Sequence, residues 1–461
     1  MAAADNRTRL RQWLESGAAR LEPLSLPQRE LWENSAVPPG DWSNHICAFI
    51  EIKGNLTPEE SEAAIGRLLE RQEVLRTSFL PGKDGPLQLI RTTVSAPQSF
   101  RELSPAEAKP QALEELMSEI FRKPFDLLQG PLFRVEMLRR KPGDHILVFC
   151  IHHAIADGWS LGVFVQDIST AYVMGLKGLR KAVATGVLGL ADKLDPVRQT
   201  YSEWAAGERA FWTPAELESR TAFWKTQLAG SRQIWSKRID IVRTNGPLPR
   251  EVTTISAELT RAAKDLAQRM GATLFSTLLA AFQITLWKWT GQDDLTVGTP
   301  VANRNKTAVR QTLGYFSGVV PLRGRVDPSQ KFSAHVRAVH HAAVECFAQA
   351  MPFAELVRVL GRPAGSEPHP VFDVRFALQN HPIPDVDLPR ISTRLRMRSS
   401  GTARFDLGCE ITEAGSELEI FWLFRQEIFD RKTLRELDSL FRAVIGSVCQ
   451  DPQSRPADLN L

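Results

Sequence analysis

Cysteine is sparse and dispersed in this chain of 461 residues: Cys47, Cys150, Cys346, Cys409 and Cys449 show no Cys-x-x-Cys spacing. They offer no zinc ribbon or dithiol motif, and most sit in apolar runs, which suits buried reduced thiols. The first residues, Met1 to Asp5, have neither the basic nor the apolar region of a secretion signal. The most apolar long stretch, Leu274 to Trp289, is interrupted by Ser276, Thr277, Gln283, Thr285 and Lys288, and is too short and too polar to span a bilayer. Strong charge of one sign is also missing. The formal net charge is +4 with Lys and Arg scattered, which argues against a dedicated nucleic-acid binder. A cytoplasmic, monomeric protein with no membrane segment and no nucleic-acid partner is the expectation.

The common catalytic signatures are missing as well. Gly314-Tyr-Phe-Ser-Gly318 has its serine one place too late for a nucleophile elbow. There is no Walker loop and no dinucleotide-binding glycine pattern. No metal is expected, because adjacent histidines point differently and no further His or Cys stands at ligand spacing. His340-His341 reads as a helix flank. What remains is direct transfer of an already activated acyl group, with no covalent enzyme intermediate.

What is present centres on Cys150-Ile-His152-His153-Ala-Ile-Ala-Asp157-Gly158-Trp159-Ser160. An apolar run, Ile146 to Ile151, delivers two of only nine histidines to the end of a strand, followed by a turn. A neutral imidazole held there suits proton removal from an amine or hydroxyl. Two core or capping histidines beside a surface turn are the plainer reading. Asp157 suits a buried ion pair with an arginine that fixes the loop, and Gly158 suits a backbone conformation that a Cβ would block.

Around this motif the chain mixes helices and strands. Thr57-Pro-Glu-Glu60 and Ser104-Pro-Ala-Glu107 read as capping boxes. Val74 to Leu80 reads as a strand, and Leu132 to Leu138 with Ile146 to Ile151 as a hairpin around Lys141 to Asp144. Gly175 to Pro196 reads as a connection, and Tyr201 to Leu228 as helical. Helices are expected at Ala262 to Met270, Leu274 to Trp289, Phe332 to Ala350 and Arg431 to Val448, with a hairpin at Phe405 to Phe424. The division expected is a lead-in over 1–20, a first half over 21–195 carrying the histidine motif, and a second half over 196–461. Two α/β halves meeting at a cleft are the natural architecture.

These segments resemble the condensation domains of nonribosomal peptide synthetases, within the CoA-dependent acyltransferase superfamily that includes chloramphenicol acetyltransferase. The likeness rests on Ile151 to Ser160, on Arg71-Gln-Glu-Val-Leu-Arg-Thr-Ser-Phe79, on Tyr201-Ser-Glu-Trp204, and on Phe223 to Gly230. It continues through Thr290 to Arg304, Leu313-Gly-Tyr-Phe316, Pro321-Leu-Arg323 and Arg404-Phe-Asp-Leu407. The resemblance implies mixed α/β sheets in two acetyltransferase-like halves, forming a V with a central tunnel. It implies His153 as the catalytic histidine, supported by His152, by Asp157 paired with Arg76, and by Gly158 in a turn near the thioester. Trp159, Ser160, Tyr315, Ser317 and Gly318 would line the substrate channel. Asp157 to Ser160 looks most like the subclass that joins two L-configured residues.

The implied enzyme is free-standing. It moves an acyl or aminoacyl group from a carrier protein's phosphopantetheine arm to an amine or hydroxyl, with no bound cofactor and carrier proteins acting in trans. A transferase using acyl-CoA, or a domain that only docks carriers, are the alternatives. The chain departs from the family pattern at Glu30, where Arg is usual, at Gln72, where His is usual, and at Ser317-Gly318-Val319, where Val-Asn-Thr is usual.

Overall fold

The strand Asp144–His152 is buried at every one of its nine residues, and the sequence explains why: Ile146, Val148 and Cys150 point to one face, Leu147, Phe149 and Ile151 to the other. The computed structural model that contains it describes residues 2–34, 42, 44–185, 194–234, 250–361, 371–379, 387–398 and 405–459. In chain order the elements are α1 (Ala2–Glu15), β1 (Ala19–Pro23), α2 (Leu26–Asn34), β2 (His45–Gly54), α3 (Pro58–Arg71), β3 (Thr77–Leu80), β4 (Leu87–Arg91) and β5 (Gln98–Glu102). Next come α4 (Pro110–Arg122), β6 (Phe133–Lys141), β7 (Asp144–His152), α5 (Gly158–Thr185) and α6 (Tyr201–Phe211). There follow α7 (Pro214–Gln227), β8 (Arg250–Ile255), α8 (Ala257–Met270), α9 (Leu274–Thr290), β9 (Asp294–Val301), β10 (Gly318–Arg325), α10 (Phe332–Ala348), α11 (Phe353–Val359) and β11 (Val374–Gln379). The chain ends with β12 (Asp387–Leu388), β13 (Ile391–Arg398), β14 (Leu407–Ala414), β15 (Glu417–Phe424) and α12 (Arg431–Gln450).

The chain forms two compact units. The first comprises residues 1–211, 302–317 and 381–400, and the second 212–301, 318–380 and 401–461. The units therefore differ from the linear halves 21–195 and 196–461, because two later segments return to the first unit. The expected lead-in over 1–20 is not separate either, since β1 begins at Ala19 and pairs with β4.

The first unit carries a six-stranded sheet in the order β12-β13-β2-β7-β6-β5 and a small sheet in the order β1-β4-β3. Helix α4 covers one face of the large sheet through Leu113, Met117, Ile120 and Phe121. The other face packs on Ala64, Ile65 and Leu68 of α3 and on Leu161, Phe164 and Ile168 of α5. Helix α3 begins as its sequence indicates, with Thr57 and Glu60 capping each other's backbone N–H groups. The β6–β7 hairpin also forms, and Gly143 at φ 72° supplies the turn conformation that side chains disfavour.

The second unit is built on a six-stranded sheet in the order β10-β9-β11-β14-β15-β8. Its core helix is α9, the apolar stretch singled out above, buried from Ser276 to Leu286 and closed by Gly291 in the left-handed conformation. Among the described residues no single helix is long and apolar enough to cross a membrane.

Three expected elements shift. Ser104 and Glu107 make the capping-box contacts, but on a turn; α4 starts only at Pro110. The strand expected from Val74 begins at Thr77, after a 3₁₀ turn over Glu73–Arg76. The helical stretch 201–228 is two helices, the second capped by Thr213 and started by Pro214. Of the expected connection at 175–196, residues 175–185 extend α5 and 186–193 lie outside the described residues, as does Arg404.

Candidate active site

Strand parity separates the two histidines. His152 is the last residue of β7 and falls on the same face as Cys150, under the end of α4, where it is 6% exposed. Its ring meets His45 edge-on at 6.1 Å and Phe125 at 6.2 Å. The Ala154 N–H donates to its Nδ1 at 3.1 Å, so the neutral ring carries its proton on Nε2. His153 lies past the strand, in a 3₁₀ turn over His153–Ile155, and is only partly buried. Its backbone N–H donates to the Asn44 carbonyl at 2.6 Å. Its ring packs on Tyr315, with centroids 4.6 Å apart and planes at 66°.

The turn is braced by an early segment. Gln28 donates through Nε2 to the Ala154 carbonyl at 2.9 Å, while its Oε1 accepts from the Ser25 N–H at 3.1 Å. Ser25 and Tyr201 share a hydrogen bond of 2.8 Å, and the Tyr201 hydroxyl lies 2.7 Å from the Tyr315 carbonyl. Three separated motif segments thus converge behind the ring that faces His153.

Asp157 is fully buried and caps α5, its Oδ1 accepting from the Ser160 N–H at 2.9 Å. The same oxygen meets the Ser160 hydroxyl at 2.8 Å and Arg304 Nη2 at 3.1 Å. Its Oδ2 accepts from the Phe316 N–H and the Ser317 hydroxyl, each at 3.1 Å. Burial alone would raise the pKa of this carboxyl; the Arg304 charge and the hydrogen bonds from Ser160 and Phe316 hold it below the usual carboxylate range. Arg304 is itself buried and also donates to the Val309 and Thr312 carbonyls, at 2.8 and 2.6 Å.

The ion-pair partner expected for Asp157 was Arg76, and that assignment is corrected. Arg76 closes the 3₁₀ turn before β3 and donates to the backbone carbonyls of Leu69, Arg91 and Thr92. Arg304 takes the role because the segment 302–317 belongs to the first unit.

Gly158 also differs from expectation. It is the exposed first residue of α5, its φ is not positive, and a Cβ there would meet nothing within 4 Å. No backbone requirement selects glycine at this position. Of the residues assigned to a channel, Ser160 is fully buried and binds Asp157 and the Gly314 carbonyl, so it links segments instead of lining a cavity. Trp159 is half-exposed and donates its indole N–H to the Arg310 carbonyl at 3.0 Å. Ser317, half-buried, turns its hydroxyl to Asp157, and Gly318 opens β10 opposite Val301 in the second unit.

Two further residues complete the frame. Gln72, at a departure from the family pattern, donates to Asp167 Oδ2 at 2.8 Å and to the Gln311 carbonyl at 2.9 Å, and accepts the Leu313 N–H at 2.9 Å. One amide side chain therefore ties α3 and α5 to the segment that carries Tyr315. Gly314 lies against Tyr201, where a Cβ would stand 2.0 Å from the ring. Among the described residues no group of three or more His, Cys, Asp or Glu is placed to hold a metal ion.

The model of the family described as "Condensation domain" matches residues 19–461. The chain is 30% identical over 443 residues to phosphinothricin tripeptide synthetase PhsC of Streptomyces viridochromogenes, a match covering 93% of this chain and 39% of that protein. The chain spans well under half the length of the first curated relatives it matches. In fold it is similar to the X-domain in complex with OxyB from teicoplanin biosynthesis, with TM-score 0.80, 23% identity and 95% of each chain covered. It is equally similar to a variant starter condensation domain of rhizomide synthetase in complex with C8-CoA and Leu-SNAC, with TM-score 0.81, 20% identity and coverage of 96% and 97%. Condensation domains act on thioesters borne by carrier proteins. With its histidine turn, its buried Asp157–Arg304 pair and a family match over nearly its whole length, the chain belongs to the condensation domain family of nonribosomal peptide synthetases.

Proposed function

We propose that this chain is a catalytic member of its family, transferring an acyl or aminoacyl group from a carrier-borne phosphopantetheine thioester to an amine or hydroxyl. The observation that carries this reading is a partly exposed His153 on a turn whose frame is locked beneath it by Asp157 and Arg304. In the transfer, the acceptor's lone pair attacks the thioester carbonyl, the new C–N or C–O bond forms and the C–S bond breaks. His153 takes the acceptor's proton or holds the acceptor in line, and the carrier's thiol leaves with a proton. His152 is not suited to that role, since it is buried and its Nδ1 is held by the Ala154 N–H. Tyr315, packed on the His153 ring, fixes the ring's aim. The cytoplasm is the compartment where carriers and amino-acid donors meet such a domain.

The test is intact-mass detection of product from an acyl-loaded carrier offered a panel of amine and alcohol acceptors. His153→Ala should abolish product while the circular dichroism spectrum and carrier binding persist. Turnover near that of the unaltered protein in this variant would sink the reading.

A second reading is favoured by the fold likeness to the teicoplanin X-domain, whose structure contains OxyB. In it the chain docks carriers or a tailoring enzyme and forms no product. Carrier binding without product from any donor and acceptor pair would support that role. Equal rates from acyl-CoA and acyl-carrier would point instead to a CoA-dependent transferase.

A further inference from the structure

Immediately before the histidine turn, β2 and β7 place two cysteines face to face. Cys47 and Cys150 are directly opposed in the antiparallel register, two rungs from the His45 and His152 pair and on the same face of the sheet. Their sulfur atoms are 3.6 Å apart, both side chains are fully buried, and neither cysteine is in a disulfide. Opposed residues in an antiparallel pair have Cα atoms about 4.5–5.5 Å apart, inside the span of about 4.4–6.8 Å that a disulfide bridges. The bond itself is about 2.05 Å long, so side-chain rotation that brings the sulfurs about 1.5 Å closer completes it.

The surroundings distinguish this pair from the other thiols. Cys150 shares its corner with His45, whose Nδ1 lies 2.7 Å from the Phe121 carbonyl and must therefore carry a proton toward it. Arg134 lies nearby, its guanidinium over the Phe125 ring at 3.8 Å. Burial raises the pKa of the Cys150 thiol, yet its contact with the Cys47 thiol and the neighbouring His45 and Arg134 bring it below its ordinary value. Burial instead pushes Cys346 up to about 12, Cys449 up to about 11, and Cys409 well above its ordinary range. The thiolate is the reactive form toward oxidants, so Cys150 is the thiol prepared to react first.

We propose that Cys47 and Cys150 are a reversible modification site, a cross-strand thiol pair that a small hydroperoxide converts to a disulfide. The Cys150 thiolate attacks the peroxide oxygen and breaks the O–O bond, giving a sulfenic acid and, for hydrogen peroxide, hydroxide that takes up a proton to become water. The Cys47 sulfur then attacks the sulfenic sulfur, the S–S bond forms and a second water leaves. Two thiols and one hydrogen peroxide become one disulfide and two waters. A small oxidant is required because neither sulfur is exposed, and attack accompanies transient opening of the β2–β7 end. The bridge would close directly beneath the turn, since Asn44, just before His45, holds the His153 N–H.

The experiment uses the full chain exposed to graded hydrogen peroxide, then denatured in an alkylating agent, digested and analysed by mass spectrometry without reductant. The expected product is the Cys47 peptide joined to the Cys150 peptide and two hydrogens lighter than the pair, with Cys346 and Cys409 alkylated throughout. Reduction with a dithiol should return both peptides to the alkylated form. Cys47→Ser should leave Cys150 as a sulfenic acid that dimedone traps. The proposal falls if Cys47 and Cys150 stay fully alkylatable at peroxide levels that oxidise the half-buried Cys449, or if Cys150 proceeds to sulfinic acid with no linked peptide. The readout on the unaltered protein needs no variant and does not depend on condensing activity.

Discussion

Asp157 Oδ1 and Arg304 Nη2 lie 3.1 Å apart although 147 residues separate them in sequence, and neither side chain is more than 1% exposed. Among the described residues its other hydrogen-bond donors are neutral, and Arg304 is the cation that compensates its buried charge. Removing one partner of such a pair costs about 3–5 kcal/mol, whereas replacing both costs much less. Arg304→Met should lower the unfolding free energy from denaturant titration by that order, and Asp157→Asn added to it should recover part of the loss. Arg76→Met should cost about 1–3 kcal/mol through its backbone carbonyls and show no coupling to Asp157→Asn. Strong coupling between positions 76 and 157 in a double-mutant cycle would overturn the corrected pairing.

Gly158→Ala separates room for a ligand from backbone need. A Cβ at this position meets nothing and φ is not positive, so the melting temperature should hold or rise slightly. Turnover should fall, because the added methyl stands at the exposed start of α5, beside the histidine turn. A variant that melts several degrees lower would show instead that the glycine serves the fold.

Gly314→Ala should behave in the opposite way. Its Cβ would stand 2.0 Å from Tyr201 Cδ2 and 2.8 Å from Phe316 Cε2, a clash between side chains that are themselves packed. Overpacking of this kind costs about 1–3 kcal/mol or more. Combining it with Tyr201→Ala should be markedly non-additive in urea denaturation. Additive costs would mean that the two residues do not share one site.

Glu208 predicts a pH dependence of stability. Burial pushes its carboxyl from 4.5 up to about 7, against a hydrogen bond from the Leu26 N–H and the charge of Arg209. Between these values the folded chain keeps a proton that the unfolded chain has lost, so stability falls as pH rises. The contribution is fully present below pH 4.5 and lost above about 7. Its size is roughly 2–3 kcal/mol, allowing for Glu208 being only partly buried. Glu208→Gln should flatten this part of the stability profile and be the more stable form at pH 8. An unchanged slope in that variant would assign the dependence to another group.

Local signals were readable wherever the structure they specify is local. The Thr57 box, the Gly143 turn and the apolar pattern of β7 needed no knowledge of distant residues. Parity along β7 even contains the division of labour between His152 and His153. Arg304 was harder to find, although it ends the segment Thr290 to Arg304 already picked out by resemblance. Nothing in its neighbours says which carboxylate it meets, and Arg76 stood equally ready in another motif. Strand β13 shows the same limit. Ile391, Leu395 and Met397 alternate with Ser392, Arg394, Arg396 and Arg398, a period-two pattern present in the sequence but assigned no element. Its partner, β2, lies at the other end of the chain, and no local rule names it.

That pairing has a consequence for synthesis. Gly54 of β2 pairs with Ile391 of β13, so roughly 340 residues must be added before this edge of the sheet is covered. At about 5–20 residues per second, the nascent chain carries an open β2 edge for roughly 20–70 s. For part of that time Asp157 also lacks its cation. A ribosome-bound chain halted near residue 211 should therefore be readily cut by protease in a region that the finished protein protects, and should engage chaperones that recognise unpaired strands.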